Sequence, residues 1–282
     1  MFDAIAFAGG GNRCYWQGGF YEALAERLKL PPALCVGVSA GAFACIYSVL
    51  GIGARVRKLV LAACGPQHKN FDFRGWRAGG PLCPVGPMYR DLLDEVLDAA
   101  ALARLKALTD LHIAVTRLPF AMPPLIGAAL GVACYQIEKH LFHPVHPRLG
   151  RTLGFRAEFI RVRDLGTPGE LRDAILASSC VPPFMPLVTV GGKAGFDGGL
   201  VDNVPVAPLE PIEAAGGRTL VLLTRRYVRI PSVRGRTYVE PSRKIRAKQF
   251  DVTNPEGIRD AYELGRNDGA AFAATFLSPA AL

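Results

Sequence analysis

An apolar segment that ends in a glycine-flanked serine constrains the fold of this chain more than any other feature. It runs from Cys35 to Ala42 with the sequence CVGVSAGA. Gly37 and Gly41 stand two residues before and after Ser39, the G-x-S-x-G spacing of a tight turn from a buried strand into a helix. Such a helix presents its N-terminal N–H groups to nearby negative charge. Taken alone, the segment is also compatible with an ordinary strand-to-helix turn.

The order of hydrophobic patterns along the chain predicts an α/β fold. A strand at residues 3–8, a helix at 15–28, a strand at 33–38 and a helix ending near Leu50 are typical of a parallel sheet covered on both faces. The remaining predictions are a loop at 65–90, helices at 92–108, 171–176, 208–215 and 255–276, and strands at 111–116, 155–162, 187–190, 194–197 and 219–223. Residues 1–282 are expected to form one domain around a mainly parallel sheet.

The cysteines and the N-terminus indicate a reducing compartment. The chain has seven cysteines, an odd number without a C-x-x-C pair, which argues against a disulfide framework and against a zinc site. Met1 to Asp3 lead directly into the first predicted strand, so no secretory signal is expected. We therefore expect a cytoplasmic protein with no metal and no other cofactor.

A run of three glycines follows the first predicted strand. Gly9, Gly10 and Gly11 can form a cradle of backbone N–H groups for a phosphate or a developing oxyanion. Cys14 stands where the dinucleotide fingerprint has its third glycine, and the G-K-[S/T] of a nucleotide phosphate loop is absent. An oxyanion hole is thus favoured over a nucleotide site, with a structural turn as the alternative. Arg13 is either a solvated charge or a residue that steers an anionic headgroup towards the cradle.

A serine nucleophile needs a base, and Asp197 is a candidate for it. The Ser-acid-His order of the α/β-hydrolases is not met, because no acidic motif lies between Ser39 and His146, the last histidine. Asp197 ends a predicted strand and precedes Gly198 and Gly199, which let another part of the backbone approach closely. Asp197 could then take the proton of Ser39 directly, although a lone Asp-Gly-Gly sequence is most often a turn.

Together these three motifs resemble the patatin-like phospholipase family. Their order along the chain is that of the family, and residues 173–186 and 197–205 are similar to the blocks that precede and carry its aspartate. The resemblance extends from Ala4 to about Gly217. It implies a three-layer α/β/α sandwich.

The same resemblance implies the site residues. Ser39 would be the nucleophile and Asp197 the base of a Ser-Asp dyad without histidine, and Gly9, Gly10 and Gly11 would form the oxyanion hole. Cys14 departs from the family, which commonly has glycine at that position. The cysteine either narrows the hole or simply begins the helix, and the second interpretation is favoured.

Two segments favour contact with lipid. An apolar insertion is predicted at about 118–150, and no charged residue occurs from Leu118 to Ile137. This run is long enough to span a membrane, but prolines interrupt it, so a lid, a membrane-docking element or a core helix is also possible. A basic loop is predicted at about 225–248, with nine Arg or Lys residues and one acid. It suits an anionic lipid surface, with a solvated loop as the alternative.

These observations predict a serine acyl hydrolase that cleaves fatty-acyl ester bonds of phospholipids or lysophospholipids. It would act peripherally at an anionic membrane. The alternative is a catalytically weak module on the same fold that binds lipid or a partner protein. Nucleic-acid binding is not expected, because the basic segment has one pair of aromatic residues, Tyr227 and Tyr238, and no recognised motif.

Overall fold

The computed structural model describes residues 1–119, 122–141 and 144–277, apart from the Lys139 side chain. Residues 120–121 and 142–143 of the predicted insertion, and the last five residues of the predicted domain, lie outside the described residues. The strands are β1 Ala4–Phe7, β2 Leu34–Val38, β3 Asp110–Arg117, β4 Arg156–Arg161, β5 Val188–Val190, β6 Lys193–Asp197, β7 Thr219–Leu222 and β8 Arg236–Val239. The helices are α1 Tyr15–Ala25, α2 Ala40–Leu50, α3 Gly53–Cys64, α4 Phe73–Arg77, α5 Val85–Val96, α6 Ala99–Leu108, α7 Pro124–Leu141, α8 Leu149–Thr152, α9 Pro168–Ser178, α10 Gly199–Asp202, α11 Glu210–Ala214 and α12 Pro255–Phe276.

The strands form one mainly parallel sheet. Its order is β5-β6-β3-β2-β1-β7-β8, and β4 pairs with β3. The pairs β1–β2, β1–β7, β2–β3 and β7–β8 are parallel, whereas β4 and the β5–β6 hairpin are antiparallel. The predicted α/β/α fold with a mainly parallel sheet is confirmed.

Alternation along the strands divides the interior between the two faces of the sheet. In β1, Ile5 and Phe7 belong to one hydrophobic cluster, together with side chains of α1, α2, α9 and α12. Ala4 and Ala6 point to the opposite face and pack with Val204 and its neighbours before α11. Because successive side chains of a strand point to opposite faces, one apolar strand can pack against the helices on both sides of the sheet.

Three parts of the chain differ from the elements predicted for them. Helix α3 was not predicted, and helices α5 and α6 occupy a region where a loop to residue 90 and one helix from 92 were expected. The predicted basic loop at 225–248 contains β8, which pairs in parallel with β7. A buried ion pair between Arg236 of β8 and Glu213, 2.6 Å, neutralises the one cation that enters the sheet.

Helix α7 covers the region next to Asp197. Its Ala128 packs against Phe196 and Leu200, on either side of the Asp-Gly-Gly sequence. The opposite face of the helix is apolar and exposed; it comprises Leu125, Ile126, Leu130, Ile137 and Leu141. Among the described residues, no helix is both long and apolar enough to cross a membrane.

Candidate active site

Ser39 occupies a strained turn between β2 and α2. Its φ of 55° and ψ of −138° make it the one non-glycine residue with a positive φ in the described part of the chain. The Ser39 N–H donates to Ser178 Oγ at 2.7 Å, and the Ser39 carbonyl accepts from the Ala42 N–H at 2.9 Å. These bonds hold a conformation that costs of order 1–3 kcal/mol in an unconstrained chain. Such a turn pushes the serine hydroxyl out beyond the end of the strand.

The flanking glycines are required by close packing. A Cβ on Gly37 would lie 2.4 Å from Ala42 Cα, and a Cβ on Gly41 would lie 2.4 Å from the Ala8 carbonyl oxygen. Both distances are well inside van der Waals contact. The second contact holds the start of α2 against the end of β1, which brings Ser39 next to the glycine run.

Strand register brings Asp197 to Ser39. Val38 of β2 lies opposite Ala114 of β3, and Asp197 of β6 lies opposite Val115, the next residue. Strand β4 pairs with residues 112–117 along one edge of β3, so β2 and β6 must follow one another along the other edge. Ser39 leaves the end of β2 where Asp197 ends β6.

The Asp197 carboxyl is buried next to Ser39. The Gly199 N–H donates to its Oδ1 at 2.7 Å. Burial raises the pKa of Asp197 from 3.8 to about 6, and the interactions with Gly199 and with the Ser39 side chain oppose that rise. An aspartate with this pKa is mostly ionised near pH 7, yet it binds a proton more readily than an exposed one.

The glycine run is fixed by two later parts of the chain. The Gly9 N–H donates to the Asn203 carbonyl at 3.0 Å. The Gly9 carbonyl accepts from Asn203 Nδ2 at 2.9 Å and from Thr224 Oγ1 at 2.6 Å. The Gly9 N–H is therefore occupied, whereas the N–H groups of Gly10 and Gly11 have no acceptor among the described residues.

The side chains that follow the glycine run point to different places. Arg13 Nε donates to the Gly10 carbonyl at 3.3 Å, and burial lowers the pKa of the guanidinium. Cys14 ends a short 3-10 turn, Gly11–Cys14, and its thiol is buried at 3.6 Å from the Ala8 carbonyl oxygen. Cys14 lines the same cavity as Ser39, whereas Arg13 faces a separate cleft.

An apolar cavity of about 360 Å³ leads away from Ser39. Its walls come from α2, α3, α5 and residues 249–252, and most of its lining side chains are apolar or aromatic, among them Phe43, Val60, Met88 and Phe250. Such a lining suits a hydrocarbon chain because burying apolar surface is favourable by roughly 25 cal/mol per Å².

Three residues that support this site were not assigned a role from the sequence. Ser178 accepts from the Ser39 N–H and donates to the Ala114 carbonyl at 2.6 Å, so it links the turn to β3. Asn203 and Thr224 fix the glycine run. A polar residue within an apolar stretch was the available signal for Ser178 and Thr224, but their partners are distant in sequence and could not be predicted.

His146 lies in a different polar cluster. Its Nδ1 is 3.0 Å from Asp202, and its Nε2 is 2.9 Å from the Tyr238 hydroxyl. Within the described ranges, no group of three or more His, Cys, Asp or Glu side chains is arranged to hold a metal ion.

The comparisons with known proteins concern most of the chain. The family model described as patatin-like phospholipase matches residues 5–210. The crystal structure of VipD from Legionella pneumophila is similar with a TM-score of 0.50 and 11% sequence identity, over 97% of this chain and 67% of VipD. At that identity the likeness concerns the fold alone. No curated protein matches the chain by sequence.

Proposed function

Because the chain belongs to the patatin-like phospholipase family, we propose that it is a serine acyl hydrolase that cleaves fatty-acyl ester bonds of phospholipids or lysophospholipids. The observation that carries the proposal is the proximity of the buried Asp197 carboxyl to Ser39, which lines an apolar cavity. A serine hydroxyl paired with a carboxyl of raised pKa is suited to nucleophilic attack on an ester.

In the proposed mechanism, Asp197 accepts the Ser39 proton as the Oγ atom attacks the ester carbonyl carbon. The carbonyl π electrons move to oxygen, and the free N–H groups of Gly10 and Gly11 stabilise this oxyanion. The intermediate then collapses, the C–O bond of the ester breaks, and the alcohol leaves with the proton from Asp197. Water attacks the acyl-enzyme by the same route, which releases the fatty acid and restores Ser39.

We also propose that α7 rests on an anionic membrane surface. The exposed stripe formed by Ile126, Leu130, Ile137 and Leu141 follows helical spacing, and it covers no other part of the described chain. An apolar helix face beside cationic residues is the pattern of interfacial membrane binding. The exposed Arg148 lies close to the C-terminal end of this helix, because its N–H donates to Glu138 at 2.8 Å.

A serine-reactive fluorophosphonate probe tests the catalytic proposal. We expect the wild type to be labelled and Ser39→Ala to be unlabelled, because the phosphonate captures only an activated hydroxyl. Ser242→Ala is a matched control, since Ser242 is exposed and its side chain takes no part in the site. Absence of labelling in the wild type would favour the alternative, a lipid- or partner-binding module.

A further inference from the structure

A second cavity, which we call the basic cleft, opens beside the glycine run. Its volume is about 780 Å³. Its lining contains six cationic side chains and no acidic one: Arg13, Arg225, Arg226, Lys244, Arg246 and Lys248. None of these six cations has a role in the proposed chemistry at Ser39, and five of the six lie beyond residue 210, where the family match ends.

One wall of the basic cleft is built by alternation in an extended segment. Ile245 and Ala247 are buried in the main hydrophobic cluster, and Lys244, Arg246 and Lys248 are exposed. Residues two apart in extended backbone point to the same side and lie roughly 7 Å from each other. The three cations therefore form a row along one wall.

The opposite wall of the basic cleft is formed by residues that lie just beyond the end of β7. These residues are Thr224, Arg225 and Arg226, and they lie at the same end of the sheet at which Gly9 follows β1 and Ser39 follows β2. In open α/β sheets, ligands bind outside the carboxyl ends of the strands. The basic cleft has that location.

The cationic groups of the basic cleft form no close ion pairs, although Asp260 and Asp251 lie near enough to Arg246 and Lys248 to interact with them electrostatically. Neighbouring arginines form close ion pairs, Arg243 with Asp260 and Arg236 with Glu213. None of the six cleft cations has an ion pair within 4.0 Å among the described residues. The Nε of Arg225 is buried without an acceptor in that part of the chain. A cleft lined by charges of one sign attracts ligands of the opposite sign, so the basic cleft favours an anion.

The basic cleft and the apolar cavity share a wall. Gln249 lines both spaces, and its carbonyl accepts from the Asn12 N–H at 2.9 Å. Thr224 lines the basic cleft and donates to Gly9. One molecule with a negative group and a long apolar chain could occupy both spaces, with its ester near Gly10 and Ser39.

We propose that the basic cleft binds the phosphorylated headgroup of an anionic phospholipid whose acyl chain lies in the apolar cavity. The placement of the acyl chain rests on the proposed hydrolase function, whereas the headgroup site can be tested without catalysis. A phosphate supplies several oxygen acceptors and negative charge, which match arginine and lysine donors. The lipid is favoured over nucleic acid because the cleft adjoins an apolar cavity.

Binding is tested on the full chain carrying Ser39→Ala, with vesicles of phosphatidylcholine with or without phosphatidate. We expect sedimentation with the phosphatidate vesicles to weaken roughly 100-fold when Lys244→Gln, Arg246→Gln and Lys248→Gln are combined, since each basic residue near an anionic surface contributes about a factor of five. A matched triple variant, Arg27→Gln, Lys29→Gln and Lys106→Gln, removes the same charge at the other end of the sheet and should bind like its parent. Thermal melting checks that both variants are folded.

Two competition measurements distinguish a small soluble phosphate from a lipid headgroup as the ligand of the basic cleft. Competition by soluble glycerol 3-phosphate would support an anion site in the cleft and show that the phosphate group alone is recognised. Competition by lipid only would support a site for the headgroup of a lipid. Equal binding by the two triple variants would overturn the proposal. Tighter cleft-dependent binding to a single-stranded oligonucleotide than to phosphatidate vesicles would overturn the lipid assignment.

The matching activity comparison uses lysophosphatidate and monoacylglycerol, which differ by the phosphate. The wild type should prefer lysophosphatidate, and the triple variant of the cleft should lose most of that preference. If cleft-dependent vesicle binding occurs without hydrolysis of either lipid, the hydrolase function fails while the headgroup site stands. If hydrolysis occurs with no preference for phosphate in either protein, the headgroup site fails and the hydrolase function stands.

Discussion

Replacing Asp197 by asparagine should abolish the proposed catalysis and stabilise the protein. The raised pKa, about 6 instead of 3.8, means that the folded state binds the Asp197 proton more tightly than the unfolded state does. The stability contributed by this carboxyl is therefore present below about pH 4 and is lost as the pH rises through 6. The rise of the pKa from 3.8 to about 6 corresponds to roughly 3 kcal/mol. Above pH 6, the ionised carboxylate lowers the free energy of unfolding by this amount.

An asparagine does not ionise, so Asp197→Asn avoids this cost. Its amide oxygen can still accept from Gly199, but the interaction with Ser39 is altered, and this change offsets about 1 kcal/mol of the gain. We expect a net stabilisation of about 1–3 kcal/mol at pH 8, which raises the melting temperature by about 2–5 °C in a chain of this length. At pH 4 the gain should disappear.

Two measurements test this reasoning. Thermal melting of the wild type and Asp197→Asn is followed from pH 4 to pH 8, with Asp164→Asn as a control at an exposed position. A difference in melting temperature that does not grow with pH would refute the link between burial and the raised pKa. Hydrolysis of a short ester is measured in parallel. The wild-type kcat/KM should rise about tenfold per pH unit below 6 and level off above it; activity retained in Asp197→Asn would refute its role as the base.

The remaining predictions concern support, oxyanion binding and membrane contact. Ser178→Ala leaves the buried Ser39 N–H without its acceptor, so unfolding by denaturant should show a loss of about 1–3 kcal/mol. Gly10→Ala would place a Cβ 2.6 Å from a threonine oxygen and displace the N–H, so ester hydrolysis should fall by about 100-fold or more. Ile126→Asp combined with Leu130→Asp, both exposed, should weaken vesicle sedimentation and leave the melting temperature within about 2 °C.

The parts of the fold with local signals could be predicted from the sequence. The turn at Ser39 and the β5–β6 hairpin were predicted because glycines mark both. Helix α3 was not predicted, since Gly51 before it and Gly53 at its first position resemble a loop, and its exposed cations obscure the apolar side. Strand β8 was not predicted because a buried ion pair with a distant glutamate lets charged residues enter the sheet.

The candidate site was predictable in its residue types but not in its supporting bonds. The resemblance to the patatin-like phospholipases implied the pairing of Ser39 with Asp197, and each of these residues lies at the end of a strand next to glycines. The occupied N–H of Gly9 depends on Asn203, which is 194 positions away in the chain. No local pattern shows such a bond, so the sequence could not distinguish Gly9 from Gly10 and Gly11 as an oxyanion donor.

The hairpin that carries Asp197 is joined to the large sheet through the pairs Val115–Asp197 and Thr116–Phe196, and the Arg117 side chain of β3 donates to three of its carbonyl oxygens. Most of the sheet could thus keep its structure while the β5–β6 hairpin detaches, since local opening costs less free energy than global unfolding. Loss of turnover on warming would then precede loss of far-ultraviolet ellipticity, and a lipid bound across the junction would bring the two temperatures together.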